Sequence, residues 1–229
     1  RNNRPVFDEI TSKLPVSITL AVAAIAIAML IGIPLGVLSA VKQYSILDMI
    51  GTATSMLMSS IPSFWFGMIA ILLFSLKLKI LPSNGNDTWR HYILPSVTLA
   101  LSVIASLLRM TRTTMLEALR QDYIRTARAK GQTEKVVIFK HALKNALLPV
   151  ITSAGMEFGG LLGGVVTIET VFSINGVGSL VLTGIRMKDA PLVTGSALVL
   201  AALYMLVMLF VDILYAYIDP RIRARYTKR

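Results

Sequence analysis

Of the twelve acids in this chain, Glu157 is the one set deep within an apolar run, in the stretch "GMEFGGLLGG". An acid at membrane depth marks either a polar passage or a pairing with a neighbouring helix. The glycines around it imply close helix contact and favour pairing. Two rows of hydroxyls are the other polar groups in apolar surroundings. Thr98, Ser102 and Ser106 recur every four residues, and Thr52, Ser55 and Ser59 share one helical face. Either row lines a polar passage, or its hydroxyls bond carbonyls of their own helix or a neighbouring one. Bond-making chemistry has little to work with. There is no Gly-x-x-x-x-Gly-Lys-Ser/Thr loop to hold ATP and no Gly-x-Ser-x-Gly elbow. There is no cysteine, and there are only two histidines, His91 and His141. The charge pattern puts these on opposite membrane sides, so neither forms a zinc pair within one chain.

The elements that carry these residues follow from the charge-free runs. Of the 229 residues, 55% are hydrophobic and 15% charged, outside the range of a soluble domain. Residues 14–41, 49–76, 92–108 and 190–211 contain no Asp, Glu, Lys or Arg, and 146–168 contains only Glu157. A bilayer core takes about 20 apolar residues of helix, and the lipid leaves the backbone no other way to satisfy its hydrogen bonds. The expectation is an all-α polytopic bundle. It has an external segment over 1–13, spans at about 14–41, 49–76, 92–112, 147–168 and 190–214, a cytoplasmic loop over 113–146 and a basic tail over 219–229.

Within the first span, "GIPLG" places Gly32 and Gly36 four apart for close helix approach. Pro62 in "SSIPSFW" must break or kink the second, and Trp65 beside it reads as packed against protein. Gly155, Gly159, Gly160, Gly163 and Gly164 make the fourth span the most closely packable. Asp212 and Asp219 read as headgroup-level tethers near Arg221 and Arg223.

Basic residues set the topology. If alternate loops face opposite sides, fifteen Lys and Arg fall on one side and eight on the other. The richer side, with Lys42, the run from Arg109 to Lys144 and the tail, is cytoplasmic by the positive-inside rule. The N-terminus then lies outside and the C-terminus inside. A net charge of +11 is accounted for without nucleic acid, since no aromatic–basic interleaving offers a stacking platform.

The segment "QDYIRTARAKGQTEKVVIFKHALKNALLPVI", 121–151, is punctuated like folded structure. Asp122 suits an N-cap and Gly131 a left-handed C′ position, bounding a helix over Tyr123–Lys130. A second helix starts at Thr133 and carries Val136, Phe139, Leu143 and Leu147 on its apolar side; Pro149 opens the following span. So short a first helix is marginal alone. It packs either only under its own bundle or also against a cytoplasmic partner.

"DYIRTARAKG…HALKNALLPVIT" resembles the cytoplasmic loop of type I ABC importer permeases, in the form found in the oligopeptide, dipeptide and nickel branch. The likeness extends to "IPLGVLSA", "IPSFWFG", "ETVFSINGVGSLV" and "LYAYIDPRIR" and covers essentially the whole chain. Arg125-Thr126-Ala127 replaces the Glu-Ala-Ala of sugar and amino-acid importers, as in the peptide branch. The opening "RPVFDEITSKLPVSITLA" is similar to B-type members, which carry one more N-terminal helix and an external segment; a truncated chain is the expectation. The resemblance implies that the loop is a coupling helix seated on an ATPase subunit, with Asp122, Tyr123, Arg125, Ala127, Arg128, Ala129, Lys130 and Gly131 at the contact. It implies a second, different permease, two cytoplasmic ATPases that hold the ATP and Mg, and an external solute-binding protein. The setting is a prokaryotic cytoplasmic membrane, with no cofactor or metal in this chain. Peptides are the expected cargo, with nickel or a metal chelate as the alternative. A self-sufficient carrier or channel would instead need ion-coupling acids in several spans, and only Glu157 serves that reading.

Overall fold

The computed structural model describes residues 5–218. The tail over 219–229, with Asp219, Arg221 and Arg223, lies outside the described residues, as do Arg1 and Arg4. Among the described residues every regular element is helical. Helix α1 is Val6–Val41, 36 residues and so about 54 Å long. The second apolar run is broken, as its proline requires, into α2 (Ile46–Ser60) and α3 (Ser63–Ala70). Pro62 takes φ −61° and ψ 130° between them, and α3 continues as a π-helical segment, Ile71–Lys77. A 3₁₀ turn, Trp89–Tyr92, leads into α4 (Ile93–Leu119). Then come α5 (Asp122–Ala129), α6 (Glu134–Val136), a π-helical turn Val137–Ala142, and α7 (Leu143–Val171). The last helices are α8 (Val177–Met187) and α9 (Ala190–Ile218). Four stretches, Val6–Val41, Trp89–Leu119, Glu134–Gly163 and Ala190–Ile213, are long and apolar enough to cross a bilayer, and the broken pair makes a fifth if counted as one span.

The chain forms two compact units, the first from Arg1–Ile27, Ile61–Ser102 and Glu157–Val207, the second from Ala28–Ser60, Val103–Met156 and Met208–Arg229. In the first, Ile10 of α1, Val177 and Leu180 of α8 and Leu192 of α9 form a buried cluster edged by Val6, Leu14, Val199 and Leu200. The N–H of Gly85, at φ +95°, donates to the Phe172 carbonyl at 3.1 Å, tying the 78–88 connector to the end of α7. Helix α8 lies between the fourth and last expected spans, where no helix is expected from the sequence. It ends at Lys188 in the left-handed region, with the Asp189 N–H donating to the Gly184 carbonyl at 2.8 Å.

In the second unit, α1 lies directly on α4. A Cβ at Gly36 would fall 2.6 Å from Thr111 Cβ and 2.7 Å from the Leu108 oxygen, and one at Gly32 would fall 3.0 Å from the Ile104 oxygen. The "GIPLG" spacing does what its small residues permit.

The glycines of α7 divide differently from the expectation. Gly155 faces Val211 in the second unit, and Gly159 faces the ring of Tyr204 in the first, whereas Gly160 and Gly163 have open space beside them. Alanine at Gly159 must therefore displace Tyr204 at a cost of about 1–3 kcal/mol. Alanine at Gly160 should gain about 0.5–1 kcal/mol by removing backbone freedom from the unfolded chain. Denaturant unfolding in detergent micelles checks both; equal costs at the two sites would contradict this packing.

Trp65 is 48% exposed within this chain. Two expectations are corrected. Pro149 lies inside α7 and does not open a helix. It frees the carbonyl of Asn145, an exposed residue, so water can meet that group. The apolar side of the second loop helix is also shifted. Val137, Ala142 and Ala146 are buried, while Phe139 is 61% exposed. The π-turn is the reason: it moves the inward face from a step of three or four residues to one of five, from Val137 to Ala142.

Candidate functional site

Helix α5 begins with Gln121 in the extended region as N-cap. Asp122 is the first helical residue and makes no cap bond; its carboxylate lies 3.5 Å from Arg125 NH1, both side chains in solvent. The expected Asp122 cap is thus corrected by one position. The other end forms as the sequence requires. Gly131 has φ +74°, its N–H donates to the Arg128 carbonyl at 2.9 Å, and the Gln132 N–H donates to the Ala127 carbonyl at 3.3 Å. That pair of bonds is a Schellman termination, which satisfies carbonyls that the helix end would orphan.

The corner after Gly131 is braced by side chains. Arg128 Nε donates to Glu134 Oε1 at 2.8 Å and its NH2 to Oε2 at 3.2 Å. These bonds hold the Glu134 carboxyl below its ordinary range and raise Arg128 above its own. His141 Nε2 meets Gln132 Oε1 at 2.9 Å across the same corner. Thr133 is the N-cap of α6, without a side-chain bond.

Two residues anchor α5 to the second unit. Ile124 and Ala127 are buried in one cluster with Val37 and Ala40 of α1, Met115 and Ala118 of α4, and Val137, Ala142 and Ala146. Ala127 therefore faces its own chain and is unavailable to a partner, which corrects its place in the expected contact set. A residue three or four along from Ile124 shares its face. Asp122, Tyr123, Arg125, Arg128, Ala129, Lys130 and Gly131 are all exposed. The result is an exposed, cation-bearing surface, anchored from beneath by Ile124 and Ala127, that holds no nucleophile–base pair.

The passage candidates divide. Thr98 and Ser55 are buried, donating to the Leu94 carbonyl at 2.7 Å and the Thr52 carbonyl at 2.8 Å. Both are thereby spent on their own helices, the alternative reading of the rows. Ser59 also donates within its helix, to the Ser55 carbonyl at 2.9 Å. Ser102 is exposed, and Thr52 and Ser106 are half-buried. Glu157 is half-buried and makes no hydrogen bond or ion pair among the described residues, so the pairing expected for it is not made within this chain.

Sequence reasoning missed the two acids that are buried and bonded. Asp48 is 3% exposed and held by Arg112, Ser39 and the Tyr44 N–H. Glu169 is fully buried; it accepts from Ser17 Oγ at 2.5 Å and from the Ser179 N–H at 2.8 Å. Ser17 Oγ in turn accepts from the Val177 N–H at 2.9 Å. Glu169 and Ser17 together supply the N-terminal cap of α8 that Gly176 cannot. The available signal was position: Asp48 and Glu169 each abut the end of an apolar run.

Residues 32–224 match the family described as "Binding-protein-dependent transport system inner membrane component". The glutathione transport system permease protein GsiC of Pectobacterium atrosepticum is 42% identical over 97% of this chain and 72% of its own length. The dipeptide transport system permease protein DppB of Alkalihalophilus pseudofirmus is 39% identical over 97% of this chain and 75% of its own. An inward-facing structure of the MetNI methionine ABC transporter superposes with a TM-score of 0.81 at 18% identity, covering 95% of this chain and 99% of that one. That likeness concerns the fold. The chain belongs to the inner-membrane component family of binding-protein-dependent transport systems. It is a multi-pass integral membrane permease subunit of an ABC importer.

Proposed function

We propose that this permease moves di- and oligopeptides inward, driven by ATP hydrolysed on partner subunits that grip α5. The observation that carries the coupling role is the construction of α5: capped at Gly131, braced by Arg128–Glu134, and rooted through Ile124 and Ala127 while its other face is exposed. A floppy connector would join α4 to α7 equally well, and it would transmit nothing. Peptide cargo is supported by the relatives, whose names give glutathione and dipeptides as what they transport. Nickel or a metal chelate is the alternative within the importer class.

The working assembly pairs this chain with a second, different permease, two cytoplasmic ATPases carrying ATP and Mg, and an external solute-binding protein; this chain itself needs no cofactor. Its N-terminal side is external and its C-terminal side cytoplasmic, following the excess of basic residues in 109–144.

The test is uptake into proteoliposomes holding the full complex, with labelled dipeptide, tripeptide, glutathione and nickel offered in turn. Uptake of peptides that requires both ATP and the binding protein is expected. Uptake by this chain alone, without nucleotide, would overturn the reading, and uptake of nickel only would overturn the cargo.

A further inference from the structure

Helix α2 is cut off from its continuation by Pro62 and is held instead by side chains of the second unit. At its start, Arg112 of α4 forms a two-pronged ion pair with Asp48, Nε to Oδ1 at 2.6 Å and NH2 to Oδ2 at 2.8 Å. The same carboxylate accepts from Ser39 of α1 and from the Tyr44 N–H at 2.9 Å. Near its end, Arg109 of α4 donates to Ser59 Oγ at 2.7 Å and to the Ser55 carbonyl at 3.2 Å. Both arginines thus come from α4 and lie less than one turn apart. Only Arg120 and Gln121 separate α4 from α5.

The Asp48 side chain is 5% exposed and that of Arg112 26%. A buried pair of this kind is weak evidence for net stability and is best attested as a device that fixes register. Its bidentate geometry fixes direction as well as distance. From this we infer that Asp48 and Arg112 are positioning residues, the joint that makes α2 travel with α5 as one body when the ATPases move. Force on α5 passes along α4, which shares the cluster around Ile124, and reaches α2 through the arginines. Ser39 ties the inner end of α1 into the same joint. The inference rests on the proposed coupling role of α5.

The experiment uses the complete complex in lipid nanodiscs. The chain has no cysteine, so spin labels can be placed at Met49→Cys on α2, which is exposed, and at Lys135→Cys beyond the Gly131 corner. With the joint intact, the label separation should change by less than about 2 Å between the nucleotide-free and ATP-trapped states, the scale of small helix shifts. Asp48→Asn loses one prong, and Arg112→Lys keeps the charge without the fork. Either should let the separation change by about 5 Å and lower cargo moved per ATP by about tenfold, with ATP turnover within about twofold of the unaltered complex.

A separation that already changes by about 5 Å in the unaltered complex overturns the joint, as does a variant with unchanged separation, whatever its transport. If Asp48→Asn fails to assemble, Arg112→Lys and the unaltered complex still decide. Failure of the underlying reading looks different: ATP hydrolysis would then ignore changes at Gly131 while the label separation stayed fixed.

Discussion

Valine at Gly131 is expected to abolish the coupling of ATP hydrolysis to transport that is proposed for α5, and to leave the bundle folded. Gly131 sits at φ +74°, and nothing lies within 4 Å of where its Cβ would be. The effect is therefore conformational and owes nothing to packing. A β-branched residue in the left-handed region costs on the order of 1–3 kcal/mol. The chain relieves that cost by giving up the Schellman bonds from Gly131 and Gln132 and swinging α5 away from Glu134. Asparagine tolerates the left-handed region, so Gly131→Asn should stay close to normal and Gly131→Ala should fall between. The measurement is binding-protein-stimulated ATPase activity together with cargo uptake. The order Gly, Asn, Ala, Val is the expected one. A loss that followed side-chain size alone, with Asn worse than Ala, would point to a steric role for this corner and defeat the explanation.

Removing the Glu169 carboxylate has the largest expected effect on stability. Alanine there strands the buried Ser17 hydroxyl, at about 1–3 kcal/mol for an unsatisfied donor, and removes the acceptor of the part-buried Ser179 N–H. Limited proteolysis in detergent should cut the 172–189 segment of Glu169→Ala at least about tenfold faster than the unaltered chain, as a loss of 1.4 kcal/mol or more requires. Gly176 makes an independent check. A Cβ at that position would run into the Glu169 carboxylate, so Gly176→Ala should reproduce the proteolysis phenotype although the acid is intact. If Gly176→Ala were resistant and Glu169→Ala sensitive, the carboxylate would be holding something other than the start of α8.

Much of the site was legible because its signals are local. Gly131 needs only its own φ, and the cap it forms involves residues within five positions. Pro62 breaks the second run because it lacks an N–H, wherever the rest of the chain goes. The boundaries of α5 came within one residue, the error falling at Asp122, whose short acid side chain suits the cap and the first helical position almost equally.

What failed did so for physical reasons. A period of 3.6 puts Val136, Phe139, Leu143 and Leu147 on the apolar side of the helix after Thr133, and the π-turn at Val137–Ala142 breaks that period. Phe139 is a core residue by type but is exposed, while Ala142 and Ala146 are buried in one cluster with Val37 and Ala40 of α1 and Met115 and Ala118 of α4. Glu157 lies deep in an apolar run, yet the acids that are both buried and bonded are Asp48 and Glu169.

Sequence alone determined that this chain is a helical membrane bundle, where its apolar runs lie and where its loop turns, since lipid admits no unpaired backbone and glycine alone turns left without cost. Tertiary structure decided which way α5 faces, what holds α2, and what caps α8. Ser17 and Glu169 stand 152 residues apart, and a hydrogen bond over that separation leaves no periodicity to read. Such contacts exist only once the helices that carry them have packed.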